Sequence, residues 1–150
     1  MKIYFASDHA GFELKNALML MVSEEMGLAV EDCGAFTLDQ DDDYPDFIRI
    51  AAAAVSDNPE ENLAIILGGS GMGEAIVANR FVGVRAAVYY GGNPEIISLS
   101  REHNDSNVLA LGARFLTEEE AREAVTLWLE APFSGDERHI RRIEKIDAIN

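Results

Sequence analysis

Residues 63–74 read Leu-Ala-Ile-Ile-Leu-Gly-Gly-Ser-Gly-Met-Gly-Glu, and this stretch decides the fold. Leu63 to Leu67 is an unbroken apolar run, the pattern of a central strand covered on both faces. Glycines at 68, 69, 71 and 73 end it at once, and the spacing that follows predicts a short helix from Glu74 to Arg80. A buried strand that turns through glycines into a helix is one unit of a parallel sheet.

The same alternation extends to both ends of the chain. Ile3 to Ala6 reads as a first strand, ended by Ser7-Asp8-His9. Phe12, Leu14, Leu18, Met21 and Val22 recur at helical spacing between Gly11 and Met26, with Gly27 as the stop. A second strand is expected to begin at Leu28–Val30 and to close at Cys33-Gly34, followed by an acidic loop from Ala35 to Asp43. A helix with Pro45 in its first turn runs from Tyr44 towards Ser56. Downstream, Val84–Tyr89 and Val108–Leu111 read as strands, and Pro94–Glu102 and Thr117–Leu129 as helices. Thr117 with Glu120 forms a capping-box pattern. After Pro132 and the Ser134-Gly135 break, Glu137–Ile149 is a last amphipathic segment. Neither a repeat nor a linker interrupts residues 1–150, which read as one domain: a parallel sheet with helices on both faces.

Composition narrows the function. The 150 residues carry 27 acidic side chains against 12 Lys plus Arg, a formal charge of −15. That excess excludes a general nucleic-acid binder and disfavours docking on anionic membranes. One cysteine, Cys33, excludes an internal disulfide framework and a multi-cysteine zinc site. No apolar run is long enough to span a bilayer, and the N-terminus turns polar too soon for a signal peptide. A cytoplasmic protein without partners among nucleic acids or membranes is the expectation.

In open parallel sheets ligands bind beyond the carboxyl ends of the strands, so the residues just after strands are the informative ones. Gly68 to Gly73 lets the backbone approach a ligand closely and aims N–H groups at it, with a helix N-terminus behind. An oxyanion or phosphate is the natural guest, although glycines there also serve a tight turn. The spacing is neither a phosphate-binding Walker loop nor a dinucleotide fingerprint. Glu74, in the first helical turn, has two readings: a carboxylate complementing the helix dipole, or a general base beside an anion-stabilising loop. Asp8-His9 and His103-Asn104-Asp105 are the other polar clusters. Each reads as caps and surface groups or, flanking one glycine loop, as parts of a shared pocket in which His103 is an acid/base near neutral pH. Asp8, His9 and His103 have no recognised metal-ligand spacing, so no metal is assigned. Arg138 and Arg142, four apart on one helical face, either pair with nearby glutamates or form a fork for a phosphate.

Five stretches together carry a resemblance: SDHAGFELK (7–15), DYPDF (43–47), GGSGMGEAIVANR (68–80), REHNDSNVLALGAR (101–114) and RHIRRIE (138–144). In order and spacing they resemble the ribose-5-phosphate isomerase B family, which also holds galactose-6-phosphate and allose-6-phosphate isomerases. The resemblance implies a Rossmann-like, three-layer α/β/α sandwich with a five-stranded parallel sheet, assembled as a homodimer or tetramer with sites shared between subunits. It implies interconversion of ribose 5-phosphate and ribulose 5-phosphate through an enediolate, without metal or cofactor. By position, Asp8 and His9 contact sugar and phosphate, and Gly69, Ser70, Gly71, Met72 and Gly73 supply backbone donors. His103 opens the ring with Asn104 beside it. Arg114 binds phosphate together with Arg138 and Arg142, from a segment (134–150) that packs on a partner subunit. Many members of that family carry a cysteine at the position of Gly68; another branch has a glutamate directly after the loop, where Glu74 stands. Cys33 lies outside the motif and reads as a buried structural thiol. Met72 departs from the smaller residues usual in the loop, which leaves erythrulose 4-phosphate, allose 6-phosphate and galactose 6-phosphate as alternative substrates. A non-catalytic phosphate or nucleotide sensor is the rival from a different class.

Overall fold

The computed structural model describes residues 1–149. Five strands, β1 (Lys2–Ser7), β2 (Val30–Asp32), β3 (Asn62–Gly68), β4 (Ala86–Tyr89) and β5 (Val108–Gly112), form one sheet in the order β2-β1-β3-β5-β4, every pair parallel. Six helices flank it: α1 (Phe12–Leu20), α2 (Tyr44–Asp57), α3 (Met72–Ala78), α4 (Glu95–Asn104), α5 (Glu118–Glu130) and α6 (Glu137–Asp147). This is the α/β/α sandwich expected from the sequence.

The sheet's two faces differ in character. Alternate residues of each strand point to opposite sides. Ile3, Phe5, Ile65, Leu67, Leu109 and Leu111 meet α1, α4 and α5 in a core built on large side chains, Trp128 among them. Ala6, Ala64, Ile66, Val108 and Ala110 meet α2 and α3, which answer mostly with Ala51, Ala52, Ala75 and Ala78. Both faces are dry, which is why Leu63–Leu67 carries no polar alternation.

Differences from the sequence reading have local causes. The second strand lies at Val30–Asp32, later than Leu28, because its partner on the sheet edge is Ile3–Phe5. The helix expected through Met26 leaves α-geometry at Leu20 and finishes as a π-turn over Met21–Glu25, the Met26 N–H donating to the Met21 carbonyl at 3.1 Å. The short helix begins at Met72, two residues before Glu74, so Glu74 sits one turn inside the cap. Gly71 supplies that cap with φ +78, and a Cβ there would press on the Leu111 backbone at 3.1 Å. The Thr117–Glu120 capping box is formed as read.

Lys15 joins layers. Its ammonium, fully buried on α1, donates to the Asp32 carboxylate at the end of β2 and to the Ala35 carbonyl. It thereby anchors the start of the acidic loop beside Ser7 and Asp8.

Candidate active site

Beyond the carboxyl ends of β1, β3 and β5 lies an open cleft of about 380 Å³, lined by Asp8, Tyr44, Gly69, Ser70, Gly73, Glu74, Arg114 and Phe115. Parallel register delivers these residues together. Ser7 pairs with Leu67 and Gly68 with Gly112, so the three turns that follow start at one level. The turns are then tied to each other: Ala113 N–H donates to the Gly68 carbonyl at 2.8 Å, and Arg114 N–H to Gly69 at 3.1 Å. The Arg114 side chain reaches the cleft from this second tie.

Glu74 is buried, with 4% of its surface exposed. Its carboxylate occupies the hollow left by the missing side chain of Gly68: a Cβ built on Gly68 would fall 1.8 Å from Oε1 and 2.1 Å from Cδ. A glycine is therefore obligatory at 68 for this carboxylate position. Burial pushes the Glu74 carboxyl above its ordinary value, the negative charge of Asp8 adds to the rise, and the residue's own backbone amide opposes it. Around it, the first-turn N–H groups of α3 have no intrahelical acceptors and carry the positive end of the helix dipole. A poised carboxylate beside backbone donors can move a proton on carbon and hold the oxyanion that results.

Asp8 caps the turn after β1, its Oδ1 accepting from Ala10 N–H at 2.9 Å and Gly11 N–H at 3.4 Å. His9 meets Asp42 of the acidic loop, Nδ1 to Oδ1 at 2.6 Å. Asp8, His9 and Asp42 place one ligand atom each within 4.8 Å of one another. So the carboxylate joining the Asp8-His9 pair is Asp42, and His103 is not part of that cluster. Met72 is 47% exposed and is not among the residues lining the cleft.

His103 and Asn104 stand elsewhere. Helix α4 returns antiparallel to the strands, so its last turn lies at the amino end of β5, whereas Gly68 and Glu74 lie at the carboxyl end of β3. Five residues of strand at about 3.3 Å each separate the two ends by on the order of 15 Å. There His103 and Asn104 line a different cleft, of about 350 Å³, with Ala87–Tyr89, Ile96 and Ile97 along the open edge of β4. The start of α6 docks on the same spot. His139, buried, packs against His103 with ring centroids 4.4 Å apart and planes tilted by 53°, and its Nδ1 meets Ser134 Oγ at 3.0 Å. Arg138 and Arg142 project nearby into solvent. The residues expected to share one pocket thus fall into two groups within one chain: Asp8, the glycine loop, Glu74 and Arg114 at one end of the sheet, and His103, Asn104, Arg138 and Arg142 at the other.

Tyr44, Phe115 and Asp42 were not singled out by sequence reasoning. Tyr44 stood inside a quoted motif, where it read as a helix start; Asp42 is one of four acids between 39 and 43 with nothing in composition to separate it from its neighbours.

The family model described as Ribose/Galactose Isomerase matches residues 3–146. Ribose-5-phosphate isomerase B of Mycolicibacterium paratuberculosis is 43% identical over 144 residues, covering 96% of this chain and 88% of that one. The Escherichia coli enzyme of the same name is 40% identical over 148 residues, with 99% and 95% covered. Among solved structures, ribose-5-phosphate isomerase B from Mycoplasma genitalium with bound ribulose 5-phosphate superposes with a TM-score of 0.94 at 37% identity, covering 99% and 95% of the two chains. The Clostridium thermocellum enzyme superposes at 0.91 with 40% identity, covering 99% and 97%.

Proposed function

The chain belongs to the ribose/galactose isomerase family, and from that premise we propose how its cleft interconverts ribose 5-phosphate and ribulose 5-phosphate. The observation that carries the proposal is the Glu74 carboxylate, buried in the hollow of Gly68 beside the donors of the glycine loop.

With the open-chain aldose in the cleft, Glu74 takes the proton from C2. The electron pair of that bond forms the C1–C2 double bond, and the C1 carbonyl oxygen takes the negative charge. Backbone N–H groups of Gly69 to Gly73 receive this enediolate oxygen. Transfer of the O2 proton and return of the carbon proton from Glu74 to C1 complete the ketose. Every proton and electron is accounted for by the sugar and the carboxylate, so the chemistry calls for no metal or redox cofactor. Arg114 holds the phosphate end, with Asp8 on the sugar. His103 acts as ring opener, with Asn104 on the substrate.

Because His103, Asn104, Arg138 and Arg142 lie at the far end of the sheet, we assign them to the cleft of a second copy. A homodimer, alone or within a tetramer, brings each Glu74 cleft against the other copy's histidine and arginines. The exposed apolar residues Ile76, Val82, Ile96 and Ile146 around β4 support such an association. No helix among the described residues is long and apolar enough to cross a membrane, and we place the enzyme in the cytoplasm on its strongly acidic, charged surface.

The test is a coupled isomerase assay over four-, five- and six-carbon sugar phosphates, with Glu74→Gln alongside. Turnover highest on the pentose phosphates, and none from Glu74→Gln despite retained phosphate binding, is expected. Preference for a six-carbon phosphate would reassign the substrate, and near-native turnover by Glu74→Gln would remove the base.

A further inference from the structure

Asp42 makes two hydrogen bonds to one residue 33 positions away. Its Oδ1 accepts from the His9 backbone N–H at 3.1 Å and from His9 Nδ1 at 2.6 Å. The loop is shaped to allow this. Asp39 Oδ1 accepts from Asp41 N–H at 3.0 Å and the Asp39 carbonyl from Asp42 N–H at 3.3 Å, a turn that leaves Asp39, Asp41 and Asp43 in water and carries Asp42 inward. The Asp42 side chain is only 8% exposed, and its Oδ2 is buried with no partner among the described residues. A carboxylate taken out of water needs a charged partner in compensation. Among the described residues the imidazole of His9 is the one that meets it.

With Nδ1–H committed to Asp42, Nε2 is the ring nitrogen left to meet a ligand. Asp8 and Glu74 bring two carboxylates to the lining against Arg114, the one guanidinium this chain supplies there, so a cationic His9 would add to Arg114 and the second copy's arginines in balancing a phosphate dianion. We propose that Asp42 is a positioning residue of the isomerase site: by clamping the main chain and Nδ1 of His9, it holds the ring as a protonated Nε2–H donor that joins Arg114 on the substrate phosphate. This rests on the reading of the cleft as a sugar-phosphate site.

The electrostatics run in the same direction. The hydrogen bond from Asp42 raises the His9 imidazole above its ordinary value of 6.5, partial burial opposes, the negative charge of Asp8 on its own turn adds to the rise, and Arg114 from the turn after β5 works against it. A raised value means that the imidazolium is kept to higher pH than that of a free imidazole and is lost as pH rises through the raised midpoint.

Three measurements test this. In the wild-type enzyme, NMR titration of the His9 ring, assigned with His9→Gln, should give a midpoint above 6.5; a midpoint at or below it overturns the proposal without any variant. Asp42→Asn keeps the acceptor oxygen and removes the charge. At pH 7.5 it should raise KM for ribose 5-phosphate and the inhibition constant of inorganic phosphate by roughly five- to tenfold, the scale of one charge-assisted hydrogen bond. Its kcat should stay within about twofold, and the gap should close below about pH 6 as the unassisted imidazole charges. In a His9→Gln background Asp42→Asn should add nothing. An equal KM penalty in that background would assign Asp42 to loop structure and overturn the proposal, as would an unchanged KM. If His9→Gln itself leaves KM and phosphate inhibition unaltered, the phosphate-site reading of His9 falls first, and the Asp42 inference with it.

Discussion

Gly68→Ala is the smallest change that should displace the Glu74 carboxylate without altering that residue. The backbone at 68 lies outside the left-handed region, so an alanine fits its conformation. Its Cβ, however, would stand 1.8 Å from Glu74 Oε1, where ordinary contact begins at 3.4 Å. The carboxylate must therefore retreat by about 1.6 Å, and with its other sides packed the open direction is the cleft. A displacement of about 1 Å in a reacting group costs on the order of 10²-fold, close to 2.7 kcal/mol of activation free energy. Removing Glu74 from its dry hollow relieves desolvation, and an added methyl restrains the unfolded chain, so stability should hold or rise by about 0.5 kcal/mol. Steady-state kinetics should thus show kcat down by about 100-fold, with KM little changed because Arg114 and the loop amides stay in place, and an unchanged or slightly higher melting temperature. A Gly68→Ala enzyme with kcat within threefold of wild type would refute the reasoning, since it would show that the carboxylate is not needed where it sits.

Other expectations follow from the same geometry. Glu74→Gln should be more stable than wild type at neutral pH: a carboxyl raised on folding keeps a proton that the unfolded chain has lost, so wild-type stability falls as pH rises from the ordinary 4.5 through the raised value. Melting temperatures of the pair should coincide near pH 4 and diverge above it; a pH-independent gap would contradict this. Cys33 is buried, and burial first, then the charges of Glu31 and Asp32, push its thiol up to about 11. Less than roughly one thiol in a thousand is ionised at pH 7.5, so iodoacetamide should leave turnover intact; rapid inactivation would place a reactive thiol in the mechanism. Glu74→Gln and His103→Ala, each inactive alone, should complement when mixed and reassembled. A two-fold dimer of one chain of each kind has one intact site, so about a quarter of wild-type activity should return; none would place both residues in a single chain's cleft.

How much was legible depended on whether neighbours in sequence or neighbours in space decide a position. Leu63–Leu67 and the glycines after it announced a central strand and its turn because strand, turn and cap chemistry are local. The Thr117–Glu120 box and the Pro45 helix start belong to the same class. Strand 2 moved to Val30–Asp32 because pairing with Ile3–Phe5, a non-local event, chose its register. His103 was grouped with the glycine loop because both flank strands, yet it precedes its strand and Glu74 follows one. Only the antiparallel return of α4 turns that difference into opposite ends of the molecule. Asp42 was hidden for a different reason: four acids within five residues look alike until a turn at Asp39 selects one to face His9.

The unequal faces of the sheet bear on how this sequence can change over time. On the side of α1, α4 and α5, large side chains can trade volume with one another, and exchanges such as leucine for methionine cost little. On the side of α2 and α3, alanines make up much of the contact, and a larger residue there has fewer bulky neighbours to shrink in exchange. Helix α3 carries Glu74 on this thin side, with Ala75 and Ala78 packed against the sheet beneath it. Drift should accumulate on the thick face, while the thin one acts as a ruler that keeps a carboxylate in register with its hollow.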